Sequence, residues 1–81
     1  MELSQAFAIR LIQLLNLKDW SSYKLSGESA IPPSTISNIV LGKCKSCNLL
    51  TLLNICRGFG IEFTEFFDSD LFLLENLLDN D

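Results

Sequence analysis

The sequence contains no histidine, only three cysteines and no long apolar run. Without histidine it lacks the commonest general base and the commonest metal ligand of proteins. An odd number of cysteines and the absence of a basic, apolar leader argue against a secreted disulfide framework. Polar residues interrupt each apolar stretch before it reaches the about 20 residues of a membrane span. We therefore expect a reduced, cytoplasmic protein with no membrane segment.

The length of 81 residues leaves room for one small domain. The large folds that bind dinucleotides or form barrels need more residues than this chain provides. No nucleophile with a matching base, no phosphate-binding loop and no set of metal ligands can be assembled from the sequence. We therefore expect a protein that is not an enzyme and that has no cofactor and no metal site.

The charged residues are distributed unevenly along the chain, whose net charge is −4. All six basic residues lie within residues 3–58, where Asp19 and Glu28 are the only acidic ones, and every charged residue from 59 onward is acidic. Charges act locally, over about 8 Å at physiological salt, so the first two thirds of the chain can face a polyanion. An ordinary solvated surface with an acidic end is the alternative, and charge alone does not decide between them.

Apolar residues recur at three- and four-residue spacing, and no strand-like alternation occurs. This pattern predicts an all-α fold of five helices, with a sixth at the C-terminus as an option. Hydroxyl residues, proline and glycine mark the expected helix ends. The first predicted helix covers roughly residues 4–16 and is capped by Ser4, and the second is capped by Ser21 and ends near Ser29. The third begins at Pro33 and is stopped by Gly42. The fourth is capped by Ser46 and ends at Gly58–Gly60, and the fifth is capped by Thr64.

The second and third predicted helices, within residues 22–41, have the lengths and the short connection of a helix-turn-helix. Leu25 and Ile36 are among the apolar residues expected where the two helices cross. Ser26 and Gly27 are the small residues expected to allow a close approach there. The other side of the third helix carries short polar side chains that can reach base edges or phosphates, namely Ser34, Thr35, Ser37 and Asn38.

Five stretches of the sequence occur in the order and at the spacing of a known family. They are residues 20–25 (WSSYKL), 31–39 (IPPSTISNI), 42–43 (GK), 55–61 (ICRGFGI) and 63–68 (FTEFFD). Over roughly residues 5–68 the chain resembles the Cro and phage-repressor type of helix-turn-helix proteins, the XRE family. The resemblance implies a compact, phage-repressor-like domain at residues 1–68. In such a domain the third helix enters the major groove of double-stranded DNA, usually as part of a homodimer.

The resemblance also implies roles for individual positions. The residues that it places in the groove to read bases are Pro33, Ser34, Thr35 and Asn38. Those that it places against DNA phosphates are Ser22, Ser37, Lys43 and Lys45. Three positions depart from the family pattern, because Pro33 replaces a base-reading glutamine of many members, Ala30 replaces the usual turn glycine and Ser29 replaces an apolar residue.

Two functions follow from these expectations. The first is a sequence-specific DNA-binding transcriptional regulator, most simply a repressor. The second is a protein-interaction module on the same fold, an antitoxin-like or anti-repressor adaptor, because helix-turn-helix units also serve as protein-binding modules and an exposed polar helix face is often merely solvated.

Cys44 and Cys47 form a C-x-x-C pair, which suits a redox switch or half of a zinc site. With Cys56 as the one further thiol and no histidine, four zinc ligands are not available. Neighbouring lysines and a helix N-terminus are expected to lower the pKa of such thiols. A chance occurrence of the pair is the simpler explanation.

Residues 69–81 are acidic and rich in leucine, and they predict a C-terminal helix that is apolar over more than half of its circumference. Such a helix either folds back onto the core or forms an interface with a second copy or with another protein. We expect dimerisation, because two-fold DNA sites require two reading heads. The residues expected at that interface are Leu71, Phe72, Leu74, Leu77 and Leu78.

Overall fold

The computed structural model describes residues 1–44 and 47–78 of the chain. Its helices, in chain order, are α1 (Leu3–Lys18), α2 (Ser22–Ser29), α3 (Pro33–Val40), α4 (Leu49–Phe59) and α5 (Phe63–Phe66). Two short 3-10 turns follow, at Asp70–Phe72 and Leu74–Asn76, and no strand occurs in the described part of the chain. The predicted all-α fold with a central helix-turn-helix is confirmed.

Each of the helices α1 to α5 contributes one large, completely buried side chain to a single core. These side chains are Leu11, Leu25, Ile36, Ile55 and Phe66, in chain order. Burying a side chain of this size contributes about 1.5–3 kcal/mol, so the core joins all five helices energetically. Leu25 and Ile36, the apolar residues expected where the second and third helices cross, both lie in this core.

Several helix ends differ from the predicted ones. The hydroxyl of Ser21 caps α2 as expected, accepting a hydrogen bond of 3.1 Å from the backbone N–H of Lys24. The prediction for Ser4 was wrong, because α1 begins one residue earlier, after an extended Glu2 that provides no side-chain cap. Asn48 caps α4 through a bond of 2.8 Å from the Thr51 N–H, whereas the predicted cap, Ser46, lies outside the described residues.

The start of α5 also differs from the prediction. This helix follows an extended Glu62, so Thr64 lies within its first turn and does not cap it.

No helix among those described in residues 1–44 and 47–78 combines the length and the apolar character needed to cross a membrane.

The close approach of two helices occurs between α2 and α4, at Ser29 and Gly58. A Cβ atom placed on Gly58 would lie 2.9 Å from the Cβ of Ser29 and 3.1 Å from its Cα. The expectation for Gly27 was wrong, because a Cβ there would meet nothing within 4 Å. Ser29, which replaces an apolar residue of the family pattern, is a small buried residue required by this contact.

The predicted C-terminal helix is not present in the described residues, which end at Leu78. Hydrogen bonds outside a helical ladder hold this segment instead. The N-terminal ammonium of Met1 donates to the carbonyl of Asn76 at 2.7 Å, and the N–H of Leu78 donates to the carbonyl of Met1 at 2.8 Å. The ring of Phe72 packs on Phe67, with 4.8 Å between the ring centroids.

The expected dimer residues of this segment therefore divide into two groups. Leu71, Phe72 and Leu77 are half-buried against their own chain, whereas Leu74 and Leu78 are exposed, Leu74 to 87%. Part of the leucine-rich segment thus serves intramolecular packing.

Candidate nucleic-acid interface

The helix α3 presents a buried apolar side and an exposed polar side. Ile36 and Ile39 are buried in the core. The side that faces away from the core carries exposed Pro33, Ser34, Ser37 and Asn38, together with the half-buried Thr35. All of the base-reading candidates lie on this one helix, which is the element that a helix-turn-helix inserts into the major groove.

Proline and glycine set the two ends of α3. Pro33 occupies the first helical position, where its missing N–H is not needed. Gly42 has a φ of 74°, a left-handed conformation that favours glycine, and it ends the helix by turning the chain. The N–H of Lys43 then donates to the carbonyl of Asn38 at 2.9 Å. This bond fixes the backbone of a phosphate candidate directly beside a base-reading candidate.

The turn between α2 and α3 compensates for its unusual residues through local hydrogen bonds. Ala30 has a φ of 61°, a left-handed conformation that favours glycine. The hydroxyl of Ser26 donates to the carbonyl of Ile31 at 2.6 Å, and the N–H of Ile31 donates to the Ser29 hydroxyl at 3.3 Å. These bonds hold the connection between the two helices despite the strain at Ala30.

The N-terminus of α2 carries the other phosphate candidate. Ser22 is the first residue of the helix and is half-buried, so its N–H lies at the positive end of the helix dipole. Tyr23 follows it and is 77% exposed.

Not all of the basic residues are free to meet a polyanion. Arg10 was counted as one of them, but its guanidinium donates to the carbonyls of Phe66 at 2.7 Å and Glu65 at 2.6 Å. It therefore caps the end of α5, and its position among the apolar residues of α1 was the signal for such a role. Lys24 forms an ion pair of 2.8 Å with Glu28.

The remaining cations are placed differently. Lys43 and Arg57 are exposed, and Lys18 lies 5.4 Å from the ring centroid of Trp20. The predicted phosphate contact Lys45 lies outside the described residues. The positive field around α3 in the described structure therefore depends on a small number of side chains.

The thiols of Cys47 and Cys56 do not have the environment of reactive cysteines. Burial raises the pKa of the Cys47 thiol, and the adjacent Cys44 raises it further through charge and a side-chain hydrogen bond. This direction is opposite to the lowering expected from the sequence. Burial, with a smaller contribution from the charge of Glu62, raises the pKa of Cys56 to about 11. Among residues 1–44 and 47–78, no three side chains of the metal-ligating types lie together as a metal site.

One comparison with known proteins gives a match. The family model of the Cro/C1-type HTH DNA-binding domain matches residues 10–70, which include α2 to α5 and most of α1. Comparisons with curated proteins and with solved structures gave no significant match.

Proposed function

The chain belongs to the family of Cro/C1-type HTH DNA-binding domains, and from this premise we propose that it is a transcriptional repressor that inserts α3 into the major groove of its operator. Membership in the family supports a DNA-binding regulator. The repressor role and the individual contacts are our proposal.

The observation that carries the proposal is the exposed polar side of α3. Ser34, Thr35 and Asn38 have short side chains, which can bond to base edges without the entropy loss of long flexible ones. Each good base contact contributes about 1–3 kcal/mol of discrimination. Pro33 has no hydrogen-bond donor, so at its position the proposal assigns apolar contact, of the kind that a thymine methyl group accepts.

Phosphate contacts supply the affinity in this proposal. Lys43 is exposed next to the end of α3, and Ser22 offers a helix N-terminus and a hydroxyl. Ser37 lies on the exposed side of α3, from which its hydroxyl reaches a phosphate. Lys45, which was predicted from the sequence, is the fourth proposed phosphate contact. None of these contacts distinguishes one base sequence from another.

Two chains act together on one operator in this proposal. Few cations surround α3, so a single copy holds DNA weakly, and a two-fold site provides two sets of contacts. Among the residues expected at a dimer interface, Leu74 and Leu78 are exposed and remain available for contact between the copies.

Selection of binding sites from a random pool of duplexes tests the function. We expect the full chain to enrich a short sequence with two-fold symmetry, and the Asn38→Ala variant to lose preference at one position of each half-site. Enrichment of no sequence, at low salt as well as at physiological salt, would contradict DNA reading and would favour the protein-interaction module.

A further inference from the structure

Two phenylalanines, one at the start of α5 and one directly after its end, each border an open cleft and form an apolar surface on this part of the molecule. Phe63 and Phe67 are both 40% exposed. They are one helical turn apart, and the N–H of Phe67 donates to the carbonyl of Phe63 at 3.1 Å. We call these two side chains, together with the two clefts that they border, the α5 surface.

The clefts are comparable in size and differ in lining. The cleft beside Phe67 has a volume of about 290 Å³, and the described residues that line it are uncharged and include Leu3, Leu49 and Leu52. The cleft beside Phe63 has a volume of about 280 Å³ and is bordered by Ile61, Glu62 and Arg57. Each cleft is large enough to accept an apolar side chain of a partner.

The segment that carries the two phenylalanines is acidic. Residues 58–78 contain no lysine or arginine, and they carry the carboxylates of Glu62, Glu65, Asp68, Asp70 and Glu75, all exposed. Arg57 borders one cleft. The guanidinium of Arg10 is also close to α5, where it donates hydrogen bonds to the backbone carbonyls of Phe66 and Glu65. An apolar surface with an acidic surround is therefore the character of this region.

This charge pattern selects the type of partner. DNA is a polyanion and is repelled by the carboxylates. A second copy related by two-fold symmetry would bring the same carboxylates against each other, which is unfavourable. A segment with apolar residues on one side and lysine or arginine around them satisfies both the clefts and the charges.

We propose that the α5 surface is a docking site for a basic amphipathic helix of another protein. The apolar side chains of that helix enter the two clefts on either side of the phenylalanines, and its cations face Glu62 and Asp68. The inference does not rest on DNA binding, although Ile39 of α3 also lines the cleft beside Phe67, and the contact proposed between copies at Leu74 and Leu78 does not use Phe63.

Titration of the isotope-labelled full chain with two synthetic helical peptides tests this proposal. Both peptides have about 18 residues, or five helical turns, with leucine on one side and either lysine or glutamate elsewhere. We expect the lysine peptide to bind and to shift the backbone amide signals of residues 61–68 and of the cleft residues. We expect the glutamate peptide to bind at least about tenfold more weakly, a difference of about 1.4 kcal/mol.

Matched variants locate the site. We expect Phe63→Ser to weaken binding of the lysine peptide by about tenfold. We expect Leu17→Ser, at a leucine of α1 that is 78% exposed, to leave binding unchanged. The double variant Glu62→Gln with Asp68→Asn is expected to weaken binding more than Asp19→Asn does, and amide spectra verify that each variant is folded.

Three results would overturn the proposal. They are equal binding of the two peptides, amide shifts confined to other parts of the chain, and self-association of the chain that Phe63→Ser abolishes. The last result would assign the surface to a second copy. Because the readout does not involve DNA, a failure of the repressor proposal leaves this test unaffected.

Discussion

Gly58 on α4 lies so close to Ser29 on α2 that a side chain at position 58 would overlap with its neighbour. The distance from a Cβ placed on Gly58 to the Cβ of Ser29 is 2.9 Å, and the backbone nitrogen of Ser29 is 3.2 Å away. The obstacle is backbone and Cβ, which cannot rotate away as the end of a long side chain can. We expect Gly58→Ala to lower the free energy of unfolding by about 1–3 kcal/mol, measured by urea denaturation.

Gly27→Ala is the matched control for this substitution. A Cβ at Gly27 meets nothing within 4 Å, and the residue lies inside α2. Alanine there is expected to raise the free energy of unfolding by about 0.5–1 kcal/mol through its helix propensity. If the two substitutions changed the free energy of unfolding equally, the close contact with Ser29 would not be what excludes a side chain at position 58.

The turn of the helix-turn-helix contains a strained alanine whose replacement should stabilise the protein. Ala30 adopts a φ of 61°, which is unfavourable by about 1–2 kcal/mol for a residue with a Cβ. Glycine removes this strain, but it also makes the unfolded chain more flexible, which lowers the stability by about 0.5–1 kcal/mol. We expect Ala30→Gly to raise the melting temperature by a few degrees, and a lower value would indicate that the alanine methyl group has a packing role.

Some of the local structure was predictable from residues that are neighbours in the chain, although the caps predicted at Ser4 and Thr64 were wrong. Ser21, Pro33 and Gly42 act within one turn of a helix, so their effects follow from local geometry. The close contact of Ser29 with Gly58 was not predictable in this way. It depends on how α2 and α4 pack, and the two residues are far apart in the sequence.

The C-terminal segment shows how tertiary contacts override local propensity. Its leucines favour a helix, but the carbonyl of Asn76 accepts from the ammonium of Met1, and the side chain of Asn76 donates to the carbonyl of Asp70 at 2.7 Å. Leu73 between the two turns is extended, with a ψ of 135°. A pattern of apolar residues cannot reveal that the other end of the chain supplies these partners.

The candidate site was predicted in part. The exposed side of α3 followed from helical periodicity, since Ile36 and Ile39 define the buried side. The use of Arg10 was not predictable from its charge, because the carbonyls that it binds belong to α5. Counting basic residues in the sequence therefore overestimated the cations available to DNA.

Removal of the Arg10 guanidinium should destabilise the fold. Arg10→Met keeps much of the apolar stem and removes two hydrogen bonds from a charged donor to the carbonyls of Glu65 and Phe66. We expect the free energy of unfolding to fall by about 1.5–3 kcal/mol. Arg57→Met, at an exposed position, is expected to change it by no more than about 0.5 kcal/mol. Similar effects of the two substitutions would contradict the capping role of Arg10.

The raised pKa of Cys56, about 11, makes stability depend on pH in the alkaline range. The thiol in the unfolded chain loses its proton near its ordinary pKa of about 8.5, whereas the folded protein retains it up to about 11. The folded state thus binds more protons within this window, so stability falls as pH rises through it.

Denaturation at several pH values checks this prediction. The free energy of unfolding of Cys56→Ala should fall less steeply with pH between about 8.5 and 11 than that of the parent chain. Cys47→Ala serves as a comparison at a second thiol with a raised pKa. Identical slopes for Cys56→Ala and the parent chain would show that another group causes the pH dependence.

The contribution of Lys43 to DNA binding can be separated from that of Asn38 by the dependence of affinity on salt. A phosphate contact releases counterions, so Lys43→Ala should weaken binding to every duplex and reduce the slope of log affinity against log salt by about 0.9. Asn38→Ala should instead lower the affinity for the preferred sequence by about 1–3 kcal/mol and leave the slope unchanged. Arg57→Ala, like Lys43→Ala, removes one positive charge, but from an exposed position on α4 that lies outside the proposed DNA contact. It is expected to alter neither the affinity nor its dependence on salt. A slope that changes with Arg57 and not with Lys43 would mean that DNA lies against a different surface of the domain.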